Sequence, residues 1–186
     1  MRWDSLFEDF ESQMAALQMR GLESEISGRA HVEIAAVGLT DRLRAATHNV
    51  MGLVLEGGLR LHGELRYVGR ESLVLADGPR QWLVPHAAVT YVMDLGRRVE
   101  QSTRPGNLGL ASGLRALARD RVHVNAHLSG SGSEGRVVTG VIDRVGRDHF
   151  DLTVSRGEVR REHDVRAVVT IPFGSLLALS SRELHA

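Results

Sequence analysis

The feature that most constrains this chain is a match between two of its own segments. The stretch "HGELRYVGRESLVL" at 62–75 aligns without a gap with "TGVIDRVGRDHFDL" at 139–152. Gly63 falls on Gly140, Val68-Gly69-Arg70 on Val145-Gly146-Arg147, and Leu73 and Leu75 on Phe150 and Leu152. Upstream, "LTDRLRAATHN" at 39–49 and "LASGLRALARD" at 110–120 share one short-helix pattern, with Leu39, Leu43 and Ala46 on Leu110, Leu114 and Leu117. The offset grows from 71 (39 to 110) to 77 (63 to 140), and the extra residues fit in "SGSGSEGR", a flexible hairpin tip. Helix, strands and turns recur in one order, so the chain reads as an internal duplication. Each copy must then be a small unit, since both fit in 186 residues with a helical extension to spare.

Inside the first copy the apolar period is that of strands from His48 onward. The segments "NVMGLVLEGG", "LRLHGELRYVG", "SLVLADG", "RQWLVPHAAV" and "TYVMDL" are parted by Gly-Gly, Val-Gly-Arg-Glu and Asp-Gly-Pro turns. Strands this short and regular favour a barrel over an open sheet, because closure removes exposed edges. Thr40 suits the N-cap of a two-turn helix over "DRLRAA", whereas "HVEIAAVG" at 31–38 fits both periods. "GRRVEQSTRPGN" at 96–107 shows neither period and reads as a linker. The expected fold is mainly β with an N-terminal helix. An acidic amphipathic helix occupies 1–30, a five-stranded barrel 38–96, a linker 97–108, a second barrel 109–174 and a tail 175–186, with a short helix before each barrel.

The first helix places Trp3, Leu6, Phe7, Phe10, Met14 and Leu17 on one stripe, with Asp4 able to cap it and Glu8, Asp9 and Glu11 in its early turns. Such a stripe serves a protein partner or self-association, or it covers the open end of a barrel. Charge is unevenly placed: residues 1–47 hold five Arg against eight acids, and residues 96–186 fourteen Arg against ten. All 23 basic residues are Arg, a pattern expected of a GC-rich genome, and the composition resembles that of actinobacterial proteins.

Several chemistries are disfavoured. Cysteine is absent, which removes disulfides and thiolate metal sites. His123 and His127 are four apart in an expected strand, roughly 13 Å from each other and too far to share a zinc ion. No lysine exists to complete a phosphate-binding loop, and "GSGSEG" lacks the strand-to-helix setting of a nucleophile elbow. The expectation is a non-catalytic protein without metal or cofactor, cytoplasmic, with no membrane-spanning segment.

A short helix followed by five bent strands resembles the Sm-like fold, an SH3-like small β-barrel family that includes the Sm and LSm proteins and the RNA chaperone Hfq. The likeness is best in "LVLEGGLRLHGEL", where apolar Leu53 and Leu55 alternate, Gly57-Gly58 turns the chain, and Gly63 and Leu65 follow at the family's spacing. The resemblance implies RNA binding in a tandem, oligomeric protein. Two departures stand beside it. "YVGRESL" and "RVGRDHF" lack the Asp and Asn that hold a base in Sm proteins, and "PHAAVTYV" and "VRAVVTI" replace the family's second motif. Candidate contacts to single-stranded RNA are therefore Arg66, Tyr67 and Arg70 in the first copy and Arg144, Arg147 and His149 in the second, since Arg binds phosphate and Tyr or His can stack. The alternative is a protein-interaction or scaffolding module that uses Trp3, Leu6, Phe7, Phe10, Met14 and the barrel edges.

Overall fold

A computed structural model describes residues 37–100, 109–130, 136–154 and 167–181. The described residues from Leu39 onward belong to one compact unit. Its first half comprises helix α1 (Leu39–Ala45) and strands β1 (Val50–Leu55), β2 (Arg60–Val68), β3 (Ser72–Asp77), β4 (Arg80–Pro85) and β5 (Val89–Met93). The second half comprises α2 (Leu110–Arg119), β6 (His123–Leu128), β7 (Arg136–Val145), β8 (His149–Val154), β9 (Val168–Pro172) and β10 (Leu176–Ser181). The fold is mainly β, as the strand periods imply. Among the described residues, no helix is long and apolar enough to cross a membrane.

All ten strands form one antiparallel sheet in the order β5-β1-β2-β3-β4-β10-β6-β7-β8-β9. Each half therefore contributes the same run: its fifth strand, then its first to fourth. Local detail repeats as well. The second strand of each half carries an irregularity against the third, between Leu65 and Tyr67 in β2 and between Ile142 and Arg144 in β7. A Cβ on Gly63 would fall on the carbonyl oxygen of Ala76, and one on Gly140 on that of Thr153, 77 residues further along. Both glycines are there because a neighbouring backbone comes too close for any side chain.

The halves do not close separately, and this corrects the expectation of two self-contained barrels. The strand hydrogen-bonded to β4 is β10 of the other half, with Leu179 opposite Leu83 and Ser180 opposite Trp82. β10 can take this place because Leu176, Leu177, Ala178, Leu179 and Ser180 are all buried. Leu177 and Ala178 complete the first core around Leu53, Leu65, Leu73 and Val84, whereas Leu176 and Leu179 join the second around Leu114, Ile142, Phe150 and Ile171. Residues 176–181, expected in a tail, are thus the seam strand between two cores. Among the described residues, the ends of the ladder are β5 and β9.

Two boundaries also differ from expectation. The fourth expected strand, "RQWLVPHAAV", stops at Pro85, which has no N–H to extend a ladder, and a single 3-10 turn at His86–Ala88 leads into β5. Pro172 and the turn Phe173–Ser175 do the same before β10. Thr40, expected as a cap, is the second residue of α1.

Candidate functional site

The turns that bear the candidate arginines have one geometry. Gly69 N–H donates to Ser72 carbonyl at 2.8 Å, and Gly146 N–H donates to His149 carbonyl at 2.9 Å. Beside each turn lies the 3-10 turn that opens the fifth strand: His86 N–H donates to Glu71 carbonyl at 2.9 Å, and Phe173 N–H to Asp148 carbonyl at 2.8 Å. Four of the six candidates are exposed and take part in no ion pair among the described residues. Arg70, Arg144 and Arg147 are exposed, and among the described residues none of them is held in an ion pair. Tyr67 is also exposed next to the β2 irregularity.

The other two are already engaged. Arg66 pairs with Glu64 at 2.9 Å, and Glu64 also lies 3.4 Å from His48. His149 Nδ1 is 2.8 Å from Asp148 Oδ1, and this hydrogen bond holds the Asp148 carboxyl below its ordinary value. Asp143 is 3.5 Å from Arg121, and among the described residues no ion pair joins it to Arg144. The two turns stand apart. β3 and β8 are five ladder steps from each other, a path of roughly 24 Å along the sheet at about 4.8 Å per step.

Other polar chemistry gathers at the seam, where the sequence pattern points to none. Trp82 of β4 lies 5.0 Å from His127 of β6, centroid to centroid, and Arg80 stands 5.7 Å over the Trp82 ring. His127 Nε2 is 3.3 Å from Ser180 Oγ, Asn125 Nδ2 donates to the same oxygen at 3.4 Å, and Thr139 Oγ1 donates to Asn125 Oδ1 at 2.9 Å. Burial, with the Arg80 charge behind it, lowers the His127 pKa. At the same seam Glu71 reaches from the first half to α2, accepting the Leu110 N–H at 3.0 Å. These residues meet only because β10 separates β4 from β6, so no local pattern could have united them. The one local signal is the run of apolar residues through "SLLALSS", which reads as a strand.

His86 is the other histidine with an altered pKa. Burial lowers it, the Arg44 charge adds to this, and the Ser72 backbone and Glu71 act in the opposite direction. Among the described residues, no three His, Asp or Glu side chains gather as a metal-binding group. Trp3, Leu6, Phe7, Phe10 and Met14, the candidate partner-binding stripe, lie outside the described residues. No protein-family model, curated protein or solved structure matches this chain.

Proposed function

We propose that the chain is a non-catalytic binding protein of tandem Sm-like type, and that its ligand is single-stranded RNA held by backbone phosphates on the arginine-bearing turns. The observation that carries this reading is the recurrence, at equivalent turns of the two halves, of exposed Arg70 and Arg147, with Arg144 nearby and none of the three in an ion pair among the described residues. Helix-plus-five-strand order in both halves, with matching irregularities in the second strand, supports the Sm-like comparison. The guanidinium group suits phosphate because it is permanently charged and presents a planar fork of donors. Exposed Tyr67 supplies a stacking face.

The test is fluorescence anisotropy of labelled single-stranded RNA pools with the full chain at low and moderate salt. Binding should be saturable and weaken with salt. Arg70→Glu with Arg147→Glu should weaken it further and reduce the log–log salt slope by roughly 1.4, at about 0.7 for each single-strand phosphate no longer neutralised. Absence of binding at low salt would sink the RNA reading and favour a protein partner at the sheet edges or the N-terminal helix.

A further inference from the structure

On one face of the seam a row of side chains crosses four strands. Trp82 of β4 stands opposite Ser180 of β10, Ser180 opposite Asn125 of β6, and Asn125 opposite Thr139 of β7. Ser180 is 2% exposed and Trp82 7%. Cross-strand partners share a face of the sheet, and so do residues two apart on one strand, so Arg80 and His127 belong to this face as well. Val124 and Ala126 point the other way, into the second core. β4 thus lays an indole and a guanidinium group on the side of β6 that faces away from that core.

The hydrogen bonds along the row have a direction. Thr139 Oγ1 donates to Asn125 Oδ1, which turns the Asn125 amide nitrogen towards Ser180 Oγ, to which it donates. One hydrogen remains on Ser180 Oγ, and the acceptor beside it is His127 Nε2 at 3.3 Å. The chain is complete when His127 is neutral with its proton on Nδ1. A proton on Nε2 sets a donor against the Ser180 hydrogen and takes away that hydrogen's acceptor in a buried place, where an unmade hydrogen bond is costly. The groups around His127 do not compensate for the new charge. Its cross-strand partners are Ala178 and Val137, β4 brings Trp82 and Arg80, and Asn125 and His123 share its face of β6. Of these, Arg80 and His123 can carry charge, and in both it is positive. Burial and the Arg80 charge already lower the His127 pKa from 6.5. A conformation that returns the ring to water therefore binds the proton better than the closed seam does, and its population grows as pH falls through 6.5.

The β4 side of the seam is the side that can yield. Against β6, β10 is in register from Leu176 opposite Leu128 to Ser181 opposite Val124, whereas against β4 it is in register at Leu83 and Trp82. Past Trp82, towards the turn between Asp77 and Arg80, the tie to β10 is the Gln81 N–H donated to Ser181 Oγ at 2.9 Å. We propose that His127 is a proton-operated latch on this seam: its protonation releases Arg80 and Trp82 from the face of β6, and the end of the β3–β4 hairpin lifts while β10 stays paired with β6. Such local opening needs no unfolding of the sheet. The latch does not depend on whether the chain binds RNA.

The test uses the full chain carrying Trp3→Phe, which leaves Trp82 as its one indole. Acrylamide quenching of Trp82 emission is compared with far-ultraviolet circular dichroism at pH 8 and pH 5. Emission intensity is not sufficient, because an imidazolium beside an indole quenches it in a closed seam too. Quenching by acrylamide should rise several-fold at pH 5 with the dichroism unchanged. His127→Gln keeps an amide oxygen for the Ser180 hydrogen and takes up no proton, so its quenching should be equal at the two pH values. Arg80→Gln removes the neighbouring charge and should reduce the rise, which keeps the latch testable if His127→Gln does not fold. His86→Gln, at the other histidine with a lowered pKa, should leave the rise intact. Equal quenching at pH 8 and pH 5 in the parent chain, a full rise in His127→Gln or Arg80→Gln, a rise abolished by His86→Gln, or dichroism lost in step with the rise would each overturn the proposal.

Discussion

At the scale of single residues, the most constrained positions are glycines and histidines rather than charges. Gly63 and Gly140 sit where a Cβ would strike a backbone oxygen of the adjacent strand. Backbone cannot yield as a flexible side chain can. Gly63→Ala and Gly140→Ala should each destabilise by about 1–3 kcal/mol, seen as a lower denaturant midpoint. His86 and His127 carry the acid sensitivity. Both have folded pKa values lowered by burial from an ordinary 6.5. The unfolded chain therefore binds more protons than the folded one below that value, and stability is lost as pH falls through 6.5 towards the folded values, with little change above. His127→Gln should flatten this acid limb in denaturant melts run from pH 8 to pH 5. Both glycines are legible as a matched pair in the sequence. The two histidines are not, because His127 is buried where β4, β6 and β10 come together and His86 is set beside Arg44, Glu71 and Ser72 from other elements of the first half.

At the scale of elements, β10 matters most. With a register irregularity between Leu176 and Ala178, it places Leu177 and Ala178 in one core and Leu176 and Leu179 in the other. Leu177→Ala should cost about 2–5 kcal/mol, as for a fully buried leucine elsewhere. The informative readout is Trp82 emission in a Trp3→Phe background, since Trp82 belongs to the first half and Leu177 to the second. Loss of the native Trp82 signal at lower denaturant in Leu177→Ala would confirm that the first core needs the second half's strand. An unchanged midpoint would show that the first half stands alone. The strand's existence can be read in "SLLALSS", yet an arrangement of two separately closed barrels leaves its residues in a tail. Pro85 and Pro172 mark the ends of β4 and β9 in the sequence, and the structure uses them so.

For the molecule as a whole, shared strand order and a shared seam imply one cooperative unit. Circular dichroism and Trp82 fluorescence should report coincident unfolding transitions for the described body, whereas two separate barrels would give two. Much of this architecture was determined by the sequence alone. The 71-to-77 offset matches, the strand periods and the paired glycines established a mainly β chain of two similar halves, and "VGR" twice located the exposed arginines. Those are local properties, set by the alternation of side chains and by the backbone's steric limits. Tertiary structure decided which strand lies beside which. Nothing in the period of β4 says that its neighbour is β10 and not β5, because both candidates are short and apolar. The choice follows from burial: β10 can present apolar side chains to two cores at once, and β5, with Thr90 and Tyr91 exposed, covers only one.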